Sequence, residues 1–103
     1  MILKVLMIGD IMGKAGRKAV SAFVPSLREE YELDVVIANA ENLAHGKGIT
    51  RSTLKEMHDA GVDLFTSGNH VWAKPEGVEI LQQPDSPLLR PANYPPGTPG
   101  RGA

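Results

Sequence analysis

Apolar residues gather in three short runs, Ile2–Ile8, Asp34–Asn39 and Val62–Thr66. Runs of this length bounded by polar residues predict buried strands. The first two are almost continuously apolar and rich in Val and Ile, the pattern of strands covered on both faces in a parallel sheet. Between the first and second runs, Val20, Phe23, Val24, Leu27 and Tyr31 recur at helical spacing and form one stripe. Pro25 falls inside that stripe and predicts a kink or a break. Between the second and third runs, Thr50 is a good N-cap, Leu54, Met57 and His58 share a helix face, and Gly61 takes the position just past the C-terminus. Pro75 suits the first turn of a third, short helix. Leu88–Asn93 is a candidate fourth strand, which Pro91 confines to an edge or a bulge. The order is βαβαβα, and right-handed crossovers make the strands parallel. The fold class is therefore α/β with a mostly parallel sheet.

Composition adds a boundary and several exclusions. At 103 residues the chain predicts one domain, spanning 1–103. Residues 84–103 hold six prolines and three glycines, so this segment reads as a loop. Eleven Lys and Arg against twelve Asp and Glu give a net charge of −1. That balance argues against non-specific DNA binding and against a membrane-surface role. The apolar N-terminal run is too short to span a bilayer and lacks a cleavage site. Cysteine is absent, which excludes disulfides, a thiol nucleophile and a Cys-based zinc site. Missing targeting signals and missing cysteine lead to the expectation of a cytoplasmic protein.

In parallel α/β sheets, ligands gather at the carboxyl ends of the strands. The predicted ends are Gly9-Asp10, Asn39-Ala40-Glu41-Asn42 and Ser67-Gly68-Asn69-His70. Asp10, Glu41, Asn42, Asn69 and His70 would then converge on one edge. Hard oxygen donors with an imidazole suit a divalent cation such as Mn, Fe(II) or Mg, and a bridging carboxylate can hold two of them. Asp and Asn after a strand also serve as plain turn or cap residues. Lys14, Arg17, Lys47 and Arg51 lie near the same edge and could attract a phosphate. His45 reads as an exposed loop residue and His58 as packed or half-exposed. Gly9–Ala15 approaches a P-loop, but three residues rather than four precede Gly13-Lys14, and Ala15 offers no hydroxyl to a magnesium ion. A P-loop-like nucleotide binder is thus a remote alternative, and no dinucleotide fingerprint is present.

Four segments, IGDIMGKAGR, VIANAENLAHGKGIT, GVDLFTSGNHVW and LLRPANYPPGTPGRG, together resemble the YmdB-type branch of the calcineurin-like metallophosphoesterase superfamily. The similarity runs along essentially the whole chain. It implies a four-layered α/β/β/α sandwich of which this chain is the N-terminal βαβαβα portion. It also implies a binuclear, metal-dependent phosphodiesterase acting on small nucleotides such as 2′,3′-cyclic nucleotides. Position by position, Asp10 would ligate a first metal, Glu41 would bridge both, Asn42 would complete the first metal's shell and Asn69 would bind the second metal. His70 would act at the scissile phosphate, as proton donor to the leaving oxygen or as stabiliser of developing charge. The cofactors implied are two divalent ions, Fe, Mn or Mg. The implied partners are a small phosphodiester or cyclic-nucleotide substrate and a further copy in a homo-oligomer.

The wider superfamily has D-x-H in its first motif, where this chain has Met12 at the third position, and G-D where it has Ala40-Glu41. Both departures match the YmdB-type branch. Family members are more than twice this length, and later G-H and G-H-x-H motifs supply histidines to the metals. His45, His58 and His70 do not replace them by spacing. The expectation is an N-terminal part of an enzyme, with an incomplete metal site and one apolar sheet face left open. A catalytically incomplete half-domain, binding phosphate or complementing a second polypeptide, is the alternative reading.

Overall fold

The computed structural model describes residues 1–103. Its three strands, β1 (Val5–Asp10), β2 (Val35–Asn39) and β3 (Leu64–Thr66), pair in parallel in the order β1-β2-β3. Helix α1 (Gly13–Tyr31) joins β1 to β2, and α2 (Arg51–Asp59) joins β2 to β3. A 3₁₀ turn (Asn69–Trp72) and α3 (Pro75–Leu81) follow β3. The α/β class and the βαβαβα order are as the sequence predicts.

The core lies on one face of the sheet. Val36, Ala38 and Phe65 are fully buried there, with Leu6 and Ile8 partly buried beside them. They meet Val20 and Val24 of α1, Leu54 and Met57 of α2, and Ile80 and Leu81 of α3. The opposite face carries Val5, Met7, Val35, Ile37 and Leu64, and Met7 is 65% exposed. The apolar runs of β1 and β2 are therefore covered on one face, not two. Sequence records that a residue is apolar and not which layer meets it; the open apolar face is the one implied for half a sandwich.

Other differences are local. β1 starts at Val5, and Met1, Ile2 and Leu3 are exposed. Lys4 marks the edge, with its carbonyl accepting from the Asp34 and Val35 N–H groups and its own N–H donating to Asp34 at 2.8 Å. α1 runs through Pro25 without a break. The carbonyl that loses its partner there belongs to Ser21, which is exposed and can be hydrated. Val20 and Val24 are buried as expected, but Phe23 and Tyr31 are exposed. Phe23 lies at the margin of the stripe and Tyr31 is the last helical residue.

The sequence punctuation is realised in α2 and α3. Thr50 caps α2 by accepting from Thr53 N–H at 3.2 Å, while Thr53 Oγ1 accepts from Thr50 N–H at 3.1 Å. Gly61 follows with φ 113°, a conformation that favours glycine. Pro75 opens α3. The expected fourth strand shrinks to one parallel bridge, Phe65 to Leu88. Phe65 N–H donates to Pro87 O and Leu89 N–H to Phe65 O, and the ladder stops before Pro91, which has no N–H to offer. The Pro/Gly segment is nonetheless anchored: Arg90 N–H donates to Arg101 O at 2.9 Å, and Tyr94 packs edge-on to Trp72.

Candidate metal and phosphate site

Each strand passes its last residues to the same edge of the sheet. At the end of β1 the register slips. Ile8 pairs with Ala38, but Asp10 pairs with Asn39, so Gly9 is the extra residue of a bulge. A bulge re-aims the side chain that follows it, here Asp10. Past the end of β2, Gly48 N–H donates to Glu41 O, and Gly13 N–H donates to Asn42 O at 3.0 Å. Those two bonds fix the Glu41-Asn42 turn against the start of α1. Past β3, extended Gly68 leads into the 3₁₀ turn that carries Asn69 and His70.

Four of the five predicted residues are joined in one chain of contacts. Asn42 Nδ2 donates to both carboxylate oxygens of Asp10, at 2.9 and 3.0 Å. Asn42 Oδ1 lies 2.5 Å from His70 Nδ1. His70 N–H donates to Glu41 Oε2 at 3.2 Å, and its Nδ1 lies 3.7 Å from the same oxygen. Asn42 is buried, and its amide is engaged at both ends. Because Asn42 turns its amide nitrogen to Asp10 and its oxygen to His70, His70 Nδ1 is the protonated ring nitrogen. Asn69, the fifth, is exposed beside His70 and contacts none of the other four through a hydrogen bond.

Two contributors escape the sequence reading. Asn39 accepts from Glu41 N–H at 3.3 Å and offers Nδ2 to Glu41 Oε1 at 3.4 Å; its place at the end of β2, two residues before Glu41, was the available signal. Gly68 is the other. A Cβ there would lie 2.2 Å from Glu41 Oε1 and 2.7 Å from Oε2, so the carboxylate occupies the space a side chain would fill. The place of Gly68 in the Ser67-Gly68-Asn69-His70 strand end was the available signal.

The basic residues separate into two kinds. Arg17 donates to Leu43 O at 2.5 Å and to Glu56 at 3.1 Å, and Arg51 pairs with Glu79. Both guanidinium groups are thus engaged within the protein, Arg51 in a pair that is about half exposed. Lys14 and Lys47 are exposed and have no carboxylate within ion-pair distance. Lys14 follows Gly13 at the start of α1. His45 is exposed in the loop after Asn42, and His58 is exposed with Nδ1 3.2 Å from Val62 O.

The donor set is two carboxylates, an imidazole and amide oxygens, which suits Mg, Mn or Fe(II) better than a soft metal. No three Asp, Glu or His side chains gather closely enough to hold an ion by themselves. Asn42 has its amide committed to Asp10 and His70 in this arrangement. The space that Gly68 leaves for Glu41 fits a ligand role, because it holds a mostly buried carboxylate at the meeting point of β2 and β3.

Comparison with known proteins gives the family. The chain is 42% identical over 100 residues to the 2′,3′-cyclic-nucleotide 2′-phosphodiesterase of Bacillus subtilis (strain 168), covering 97% of this chain and 38% of that protein. A crystal structure of a hypothetical protein from Thermus thermophilus superposes with a TM-score of 0.87 at 48% identity, over 95% of this chain and 37% of that one. A crystal structure described as a novel phosphatase from Mycoplasma pneumoniae gives a TM-score of 0.85 at 34% identity, over 97% and 37%. The chain thus spans well under half the length of the relatives it matches. No helix is long and apolar enough to cross a membrane. The family model described as YmdB-like protein matches residues 6–103, and the chain belongs to that family.

Proposed function

We propose that the chain carries one side of the active site of a metal-dependent phosphodiesterase acting on small nucleotide phosphodiesters, 2′,3′-cyclic nucleotides among them. The observation that carries this reading is the contact chain Asp10–Asn42–His70–Glu41 at the carboxyl edge of a parallel sheet. The name of the Bacillus subtilis relative supports the substrate class. In this reading Asp10 and Asn42 hold one divalent ion, Glu41 bridges to a second, and Asn69 binds the second; Fe, Mn and Mg are the candidates. When bound, such ions supply positive charge to the phosphoryl oxygens and make a nucleophilic water available near neutral pH. The protein's own contribution is orientation and proton handling. His70 Nδ1–H is held by Asn42 Oδ1, which turns Nε2 outward. Glu41 Oε2 lies 3.7 Å from the same Nδ1, so the ring is held on that side by two partners. Nε2 is thereby the ring nitrogen left to pass a proton to the leaving oxygen of the ester.

A second reading is favoured by the lack of any three-residue acid and histidine cluster. In it the chain is an incomplete half-site that binds phosphate or complements another polypeptide. Metal stoichiometry separates the two. About two Mn ions per chain, lost in Glu41→Gln, with turnover of 2′,3′-cyclic AMP, supports the first. Binding near zero in the wild type, with no turnover, supports the second. Full turnover by Glu41→Gln overturns the bridging role.

A further inference from the structure

Next to this site lies a groove of about 310 Å³ lined by Ala44, His45, Lys47, Ala73 and Lys74. Its walls continue the two motifs that carry the site. Residues 44–47 follow directly on Glu41-Asn42, and Ala73 closes the 3₁₀ turn by donating its N–H to His70 O at 3.0 Å. The groove's cations are uncompensated. Neither Lys47 nor Lys74 has a carboxylate within ion-pair distance. Lys74 is half-buried, with its stem against Gly48: a Cβ at Gly48 would lie 2.9 Å from Lys74 Cγ and 3.2 Å from Cδ. His45 and Gly46 have φ of 56° and 84°, and neither N–H donates to a protein acceptor. Two unpaired ammonium groups lining one concavity suit an anion. Its volume falls at the lower end of small-molecule sites, roughly 300–1,000 Å³.

We infer that this groove is a subsite for a second phosphate of the substrate, beyond the scissile one, held by Lys47 and Lys74. The inference rests on the phosphodiesterase reading for the word substrate, but anion binding in the groove does not depend on metal. It favours nucleotides carrying two phosphates over those carrying one.

The test uses the whole 103-residue chain, isotope-labelled for NMR. With a chelator present, titration with adenosine 3′,5′-bisphosphate is expected to shift the amides of His45, Gly46, Lys47 and Lys74, while adenosine shifts none of them. The double variant Lys47→Ala/Lys74→Ala is expected to bind about fivefold more weakly, the order of two partly exposed charge pairs. Its Mn affinity, read by electron paramagnetic resonance, stays at the wild-type level. With Mn added, the bisphosphate is expected to bind about fivefold more tightly than adenosine 3′-monophosphate, an advantage that the double variant loses. Equal bisphosphate affinity in the two proteins, or shifts confined to other residues, overturns the subsite. Loss of Mn binding in the wild type with the groove shifts intact overturns the phosphodiesterase reading and leaves the anion site standing.

Discussion

Gly68→Ala tests the placement of Glu41 with the smallest possible change. Gly68 is extended, with φ −139° and ψ −156°, so alanine meets no backbone strain there. The whole effect comes from the added methyl. Its Cβ would lie 2.2 Å from Glu41 Oε1, 2.7 Å from Cδ and 2.7 Å from Oε2, where ordinary contact begins at 3.4 Å. The carboxylate must retreat by roughly 1 Å, enough to forfeit about half of a short-range contact. The His70 N–H bond to Oε2, already 3.2 Å, and the Asn39 bond to Oε1, at 3.4 Å, have no slack to follow it. Glu41's side chain is only 17% exposed, so water replaces those partners poorly. Loss of one hydrogen bond to a charged group then predicts a stability cost of about 1.5–3 kcal/mol. For a bridging ligand displaced that far, Mn affinity should fall about tenfold or more, since each 1.4 kcal/mol is a factor of ten. Urea denaturation reads the first quantity and Mn titration by electron paramagnetic resonance the second. Two comparisons guard the interpretation. Gly9→Ala, whose Cβ meets nothing within 4 Å, should leave both unchanged. Adding Glu41→Asp to Gly68→Ala shortens the crowded side chain by one methylene and should recover part of the stability. If Gly68→Ala matches the wild type in stability and Mn affinity, the carboxylate does not sit over Gly68 and the bridging geometry fails with it.

Two further substitutions probe the scaffold around the site. Burial opposes ionisation of Asp63, but the hydrogen bonds from Arg28 and Val36 N–H, with the charges of Arg28 and His58, hold its carboxyl below the ordinary 3.8. A depressed value stabilises the fold above the unfolded-state value, and the gain is lost as pH falls through the folded-state value beneath 3.8. Asp63→Ala also strips the acceptor from the fully buried Val36 N–H, so it should cost about 2 kcal/mol at pH 7, mostly from that orphaned donor because the ion pair is partly exposed. Urea titrations at descending pH should show the gap to wild type narrowing below 3.8; a gap constant with pH contradicts the assignment. Arg17→Met removes the bonds to Leu43 O and Glu56 and should destabilise by about 1–2 kcal/mol while leaving phosphate binding in the groove unchanged. Weaker phosphate binding without loss of stability would return Arg17 to the ligand.

The parts of the fold legible in the sequence are those set by local chemistry. Thr50, Gly61 and Pro75 announce helix ends because capping, positive φ and a missing N–H act within a turn. The parts that were not legible depend on what lies across space. Ile2 and Leu3 are as apolar as Leu6 and Ile8, yet no strand partner reaches them. Pro25 is tolerated because its orphaned carbonyl faces water, which periodicity does not report. The same division holds at the site. Asp10, Glu41, Asn42 and His70 were readable from one rule about strand ends, and the structure joins them. The tie of Arg17 to Glu56 was not legible, because a charge in a helix's first turns gives no hint of a glutamate 39 positions on.

What holds the four residues together is main chain more than side-chain packing. The bulge at Gly9 sets Asp10 against Asn39. Ile11 N–H donates to Asn39 O at 3.3 Å, Gly13 N–H to Asn42 O at 3.0 Å and Ala40 N–H to Thr66 O at 2.9 Å, so the three strand ends are laced to one another just beyond the sheet. Backbone bonds of this kind do not depend on the identity of the side chains they carry. The loops are thereby fixed independently of the hydrogen bonds that join Asp10, Asn42, His70 and Glu41. On the proposed metal-binding reading, Asn42 would exchange its hydrogen bonds to Asp10 and His70 for an ion, and the backbone that carries it is held by bonds which that exchange does not touch.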